Sequence, residues 1–62
     1  MTEKQRLKHL TRIIAKITSA RSLTKEIVDD TLDPRVTQAM TELNRAFENL
    51  INVKHDIEYK KI

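Results

Sequence analysis

The chain contains no glycine, and its single proline is Pro34. Because glycine adopts positive φ at low cost, a chain without it has few routes to tight hairpin turns and β-bulges. Long helices with one interruption are therefore predicted. Asp33-Pro34 marks the interruption, since proline suits the first position of a helix and aspartate is a good N-cap. Thr2 and Gln5 have the spacing of a capping box, which predicts the start of the first helix.

Apolar residues in both halves of the chain recur at alternating intervals of three and four, which is typical of helices packed in a bundle. In the first half these positions hold Leu7, Leu10, Ile14, Ile17, Arg21, Thr24 and Val28. In the second half they hold Val36, Met40, Leu43, Phe47, Leu50, Lys54 and Ile57. We call these two rows the seam. The pattern predicts an all-α fold, an antiparallel two-helix hairpin in one domain over residues 1–62, with helix 1 at about 3–30 and helix 2 at about 34–60.

A chain of 62 residues rarely buries enough surface to be stable without a disulfide, a metal or a partner chain. It has no cysteine and only two histidines, neither with a carboxylate or second histidine at i+4, so we expect no metal site and no cofactor. A further apolar row flanks the seam at Ile13, Ala20, Ile27, Ala39, Ala46 and Val53. A single hairpin would leave this row in water. We therefore predict a homo-oligomer, an oligomeric helical bundle.

Charge is distributed unevenly along the chain. Residues 1–25 carry seven lysines and arginines against one acid, and residues 26–33 carry four acids and no cation. The basic half predicts an anionic partner. Apolar stretches are no longer than pairs such as Ile13-Ile14, so neither a signal peptide nor a membrane partner is expected, and the predicted location is the cytoplasm.

Two polar residues, Arg21 and Thr24, occupy seam positions. If the chain reverses near residue 32, Arg21 faces Asn44 and Thr24 faces Thr41, which predicts a polar layer in or beside the seam with Arg45 adjacent. One interpretation is a device that fixes the pairing of the helices at some cost in stability. The other is a ligand cup in which the arginine meets a phosphate in a fork.

A second polar feature is a basic row four residues apart on the first helix. It consists of Lys4, Lys8, Arg12 and Lys16, and we call it the basic row. Residues at this spacing form a ridge, and this ridge lies opposite the seam, facing solvent. It is either a solvated face or a row that contacts phosphates. No catalytic residues are predicted, because Ser19 and Ser22 have no histidine at a helical spacing, so we expect a protein that is not an enzyme.

The segment from Asp33 to Val53 resembles the second helix of a phage protein family. These are small helical-hairpin sponges that counter CBASS and Thoeris immunity by sequestering signalling nucleotides. The family pattern there is Thr, an acid, Leu, Gln, a small residue, Phe, Leu, a branched apolar residue and Arg. The residues that fit this order are Thr41, Glu42, Leu43, Asn44, Ala46, Phe47, Leu50 and Ile51. The resemblance covers about a third of the chain.

The sequence departs from the family pattern in two places. Asn52 stands where the family has an arginine that resembles a phosphate ligand of a threefold trinucleotide pocket. The aromatic-bearing N-terminal segment of longer members, which stacks on a cyclic dinucleotide base, is not found in residues 1–62. The resemblance therefore leaves open whether a dinucleotide-type or a trinucleotide-type pocket is retained.

The resemblance implies a non-enzymatic sponge, in the host cytoplasm if phage-encoded, that binds a cyclic oligonucleotide or cyclic ADP-ribose type signal at a subunit interface. Together with the seam and the basic row, it leads us to expect ligand contacts from Lys8, Arg12, Lys16, Arg21, Thr24, Thr41, Asn44 and Arg45. The alternative is a dimeric helical-bundle regulatory or adaptor protein that binds a host protein or structured RNA through the basic face of helix 1. Nucleic acid is a predicted partner only under this alternative.

Overall fold

The computed structural model describes residues 1–59, which form two α-helices and no strand. Helix α1 spans Glu3–Asp30 and helix α2 spans Pro34–Glu58. They pack side by side as an antiparallel hairpin about 48 Å long and 18 by 15 Å across. The prediction of an all-α helical hairpin is confirmed. Helix 2 was predicted to reach about residue 60, and that position lies outside the described residues.

The first helix begins where its capping residues predict. The Thr2 hydroxyl accepts a hydrogen bond from the Gln5 backbone N–H at 3.1 Å, and the Gln5 side-chain oxygen accepts one from the Thr2 N–H at 2.9 Å. Glu3 lies in the first turn, where its charge complements the positive end of the helix dipole. The predicted capping box is confirmed.

The turn between the helices uses extended residues in place of a left-handed glycine. Thr31 has φ −138° and ψ 151°, Asp33 has φ −66° and ψ 117°, and no described residue has positive φ. The Asp33 carboxylate accepts the Arg35 backbone N–H at 2.9 Å, and Pro34 stands in the first turn of α2. The same carboxylate accepts two N–H groups of the Arg35 guanidinium, the closer contact being 2.6 Å. The chain can therefore reverse direction without glycine, because α1 ends at an extended C-cap, Thr31, and α2 begins directly afterwards at the N-cap, Asp33.

The Asp33 cap should make the stability of the hairpin depend on pH. The Arg35 side chain, and then its backbone N–H, hold the pKa of the Asp33 carboxyl below its usual value of 3.8. A depressed pKa contributes stability above the unfolded value, and that stability is lost as pH falls through the folded pKa. We expect Asp33→Ala to lower the melting temperature at neutral pH, and the gap from the parent chain to narrow as pH falls below 3.8.

Thermal melts followed by circular dichroism across the acid range measure this effect. Asp33→Asn is the matched control, because asparagine also caps helices but does not titrate, so it should stay close to the parent chain at neutral pH. A melting difference between parent and Asp33→Ala that stays constant into strong acid would contradict the prediction.

The predicted seam is the line along which the two helices pack. All of its residues are half-buried except Leu10, which is the one buried side chain in residues 1–59 at 7% exposure. Burial of apolar surface is the main favourable term in folding. A hairpin with a single buried side chain therefore has two helices in contact along the seam but no hydrophobic core.

The dimensions of the hairpin lead to the same conclusion. Its accessible surface is 5291 Å², whereas a compact protein of this size has about 4,200 Å². Its radius of gyration is 14.4 Å, against about 10.5 Å for a compact domain of this length. The isolated hairpin is a rod that leaves much of its apolar surface in water.

Candidate anion-binding site

Arg21 is held in place by the opposite helix. Its Nε donates a hydrogen bond of 2.8 Å to Oδ1 of Asn44, and its Cζ lies 4.4 Å from the centroid of the Phe47 ring. The predicted pairing of Arg21 with Asn44 is confirmed. The contact with Phe47 was missed, although Phe47 lies three residues after Asn44 and so on the same face of α2. The Phe47 ring on one side and the Asn44 amide at Nε thus orient the guanidinium.

Among the residues that the structure describes, the two terminal nitrogens of this guanidinium have no acidic partner. Within residues 1–59, the carboxylates that form ion pairs are those of Asp33 and Glu58, and their partners are Arg35 and Lys54. An arginine fork binds phosphate or carboxylate through two parallel hydrogen bonds. Arg21 is therefore positioned by a neutral amide and a ring, while its remaining donors can meet an anion.

A shallow depression that is open to solvent is lined in part by Arg21. It has a volume of about 260 Å³ and is lined by Thr18, Arg21, Ser22, Lys25 and Met40. Thr18, Ser22 and Lys25 lie four and three residues apart, which places them on one side of α1 next to the seam. Met40 is the lining residue that α2 contributes. Two cations and two hydroxyls thus surround one small volume.

The hydroxyls of the depression differ in what they can donate. Thr18 donates its hydroxyl hydrogen to the Ile14 backbone carbonyl at 2.8 Å. Its oxygen can then only accept a further bond. In the described part of the chain, Ser22 and Lys25 make no side-chain hydrogen bond, so both can donate to a ligand. The donors available to an anion are therefore those of Arg21, Ser22 and Lys25.

Sequence reasoning missed Thr18, Ser22, Lys25 and Met40 as parts of one site. A usable signal was present, because Thr18 and Lys25 each directly follow a seam residue and are seven residues apart. Positions of this kind lie along one edge of the seam. The pattern could have placed Lys25 beside Arg21, but it could not have shown that the space between them is open.

The other predicted members of the polar layer lie in different surroundings. Thr24 is half-buried in the seam, as expected. Thr41 is exposed, and its hydroxyl donates to the Thr37 backbone carbonyl at 3.1 Å, within its own helix. Within residues 1–59 no hydrogen bond links Thr24 to Thr41. Arg45 is exposed and makes no ion pair with residues 1–59.

The basic row lies apart from the depression. Lys4, Lys8, Arg12 and Lys16 are all exposed, and none pairs with an acid in the described range. At the rise of an α-helix, Lys8 and Arg12 are about 20 Å and 13 Å from Arg21 along the axis. The row and the depression are therefore separate surfaces, and one small ligand cannot contact Lys8 and Arg21 of the same chain.

Simple chemical features of the hairpin do not assign a function by themselves. Within residues 1–59 no helix has both the length and the apolar character needed to cross a membrane. The same range holds no group of three His, Asp or Glu side chains placed to hold a metal ion. Comparison of the chain with protein-family models, curated proteins and solved structures found no match. A functional proposal therefore depends on the geometry around Arg21.

Proposed function

We propose that this chain is a non-enzymatic binding protein that sequesters a small phosphorylated nucleotide, of the cyclic oligonucleotide or cyclic ADP-ribose type, and so blocks host anti-phage immunity. The observation that carries the proposal is Arg21, whose guanidinium is oriented by Asn44 and Phe47 and which also lines the depression. Charged donors to phosphate form hydrogen bonds about twice as strong as neutral pairs. The proposal agrees with the resemblance of residues 33–53 to the sponge family.

The size of the depression limits which part of a ligand it holds. Its volume of about 260 Å³ is below the range of about 300–1,000 Å³ usual for ligand pockets. A phosphate and part of a sugar fit this space, and a base extends beyond it. In the expected homo-oligomer, the rest of the ligand is then contacted by a copy that packs on the depression side of the hairpin.

The chemistry of the depression supports binding without turnover. Its lining side chains include no carboxylate and no imidazole, the groups that most often act as general bases. Ser22 has no hydrogen-bonded base to activate it as a nucleophile in the described chain. The bound nucleotide should therefore leave unchanged.

A ligand panel tests this function. Cyclic dinucleotides, cyclic trinucleotides and cyclic ADP-ribose isomers are each mixed with the protein, and binding is measured by calorimetry and by the shift in melting temperature. At least one should bind tightly and stabilise the fold, as mass action requires. After heat denaturation, mass spectrometry should recover it unaltered. We expect the dinucleotide or ADP-ribose class to bind more tightly than trinucleotides, because Asn52 replaces the arginine that the resemblance associates with a trinucleotide pocket.

One observation favours a second candidate, a dimeric helical-bundle adaptor that binds structured RNA or a host protein through the basic row. That row is exposed and carries no paired acid in residues 1–59. The panel distinguishes the two functions when it includes a structured RNA and a variant with Lys8→Gln, Arg12→Gln and Lys16→Gln. RNA binding should fall steeply with salt and with this variant. Nucleotide binding should weaken only through long-range charge, and less so at high salt.

Each outcome of the panel has a clear meaning. Recovery of a chemically altered ligand would show that the protein is an enzyme and that the sponge proposal is wrong. If no nucleotide shifts the melting temperature even at millimolar concentration, the sponge proposal is wrong. Salt-steep RNA binding would then establish the second candidate.

A further inference from the structure

One side of the hairpin is apolar and uncovered. We call it the side face, and it consists of Ile13, Ala20, Ile27, Ala39, Ala46 and Val53. Each of these residues directly precedes a seam residue, which places all six on one side of the antiparallel pair. Ile13 is 41% exposed, Ile27 54% and Val53 45%. The isolated hairpin therefore buries only about half of the surface of these branched side chains.

The side face lies opposite the anion depression. The depression is lined by Thr18 and Lys25, which directly follow seam residues and therefore lie on the other edge of α1. Covering the side face would leave the depression open. The two surfaces can therefore be tested independently.

We propose that a second copy of this chain covers the side face, laid antiparallel so that the turn of each hairpin lies against the open end of the other. The hairpin exposes about 1,100 Å² more than a compact protein of its size. Stable interfaces bury about 800 Å² on each partner. The surplus, summed over the whole hairpin, is therefore large enough to include an interface of this size. This proposal specifies the surface of the expected homo-oligomer, and it does not rest on the ligand.

The spacing of the side face fits itself in this orientation. Ile13 and Ile27 are each seven residues from Ala20, and Ala39 and Val53 are each seven residues from Ala46. A two-fold axis through Ala20 and Ala46 sets Ile13 against the partner's Ile27 and Ala39 against the partner's Val53. The small alanines at the centre let the backbones approach closely, while the larger residues fill the space on either side.

The charge distribution favours an antiparallel arrangement of the two hairpins over one with both turns at the same end. Residues 3–20 of α1 carry five cations and one acid, and residues 25–35 around the turn carry four acids and two cations. If both turns lay at the same end, two segments that are each net negative would be brought together. With one copy reversed, the acidic turn of each hairpin lies near the basic open end of the other, and the charges attract.

Single cysteines test the orientation, because the native chain has none. Ala20 lies on the proposed axis, so Ala20→Cys should form a disulfide with the same cysteine in the second copy under mild oxidation. Ile13→Cys and Ile27→Cys should cross-link when mixed, and each alone should react slowly. Disulfides need Cα atoms within about 7 Å, so these pairs should form at least about tenfold faster than Ser19→Cys, an exposed control on the outer face.

The alternative arrangement gives a different pattern. With both turns at one end, Ile13 would face the partner's Val53, so Ile13→Cys mixed with Val53→Cys would cross-link while Ala20→Cys would not. That result would overturn the antiparallel proposal. A monomer mass in light scattering of the unmodified protein, or equal cross-linking rates for Ala20→Cys and Ser19→Cys, would overturn the dimer. If no nucleotide in the panel binds, the conclusions about the dimer and about its antiparallel orientation would both be unaffected.

Discussion

Diluting the protein should lower its melting temperature, and a carboxylate placed on the side face should abolish folding at micromolar concentration. The reason is that Leu10 is the one buried side chain in residues 1–59, and it still has 7% of its surface exposed. Under the proposed self-association, most of the stabilising burial comes from the contact between copies, so stability should follow protein concentration by mass action. A domain of this length has only a few kcal/mol of stability to lose, about 0.05–0.15 kcal/mol per residue.

Ala20→Glu is the sharpest form of this prediction. It puts an unpaired charge at the centre of the proposed interface, which costs several kcal/mol, about as much as the whole stability. Ser19→Glu is the matched control, since it makes the same change one residue away on the exposed outer face, where substitutions usually shift stability by about 0.5 kcal/mol or less. Helical circular dichroism at several concentrations, with light scattering, provides the measurement.

The control variant and the parent chain should both melt at temperatures that rise with concentration. Equal stability of Ala20→Glu and Ser19→Glu would remove the side face from the interface. A melt independent of concentration together with a monomer mass would show that the hairpin is stable alone, contrary to the burial argument.

Replacing Arg21 with leucine should cost about 10- to 100-fold in affinity for the bound nucleotide, the value of a charge-assisted hydrogen bond to phosphate. The fold should remain, because leucine continues the apolar seam and removes a partly buried charge. We therefore expect the melting temperature without ligand to be unchanged or higher. Arg21→Lys should lie between, since it keeps the charge but loses the fork and the bond from Nε to Asn44.

Arg45→Leu is the control for this experiment. It removes the same charge from an exposed position on α2 that does not line the depression, although the sequence pattern also predicts a ligand contact from Arg45. Its affinity should change only by the small long-range electrostatic effect. Unchanged affinity in Arg21→Leu would exclude Arg21 from the site. Unchanged affinity together with an altered oligomer number would identify Arg21 as a residue that fixes helix pairing.

Both helix starts and the seam were readable from the sequence because they depend on local chemistry. Thr2 and Gln5 form the capping box within one turn, and Asp33 caps α2 next to Pro34. The seam follows from the repeat of the helix itself, which is the same wherever a helix forms. Once the turn is placed, the facing of Arg21 and Asn44 follows from counting residues away from it.

The tertiary structure alone decided how the polar side chains are used. Thr41 could donate across the seam or back to its own helix, and it donates to Thr37 because that carbonyl is one turn away at fixed geometry. The ring of Phe47 beneath Arg21 depends on rotamers of both residues, which periodicity does not specify.

The depression likewise exists only through packing. Sequence places Thr18, Ser22 and Lys25 on one edge of α1, but the open volume between them and Met40 depends on how closely α2 approaches. The sequence by itself therefore determined the helices, their ends and the faces they present, since these arise from contacts within a few residues. The structure decided which donors of Arg21 are occupied and which remain free, since these arise from distances between side chains on different helices.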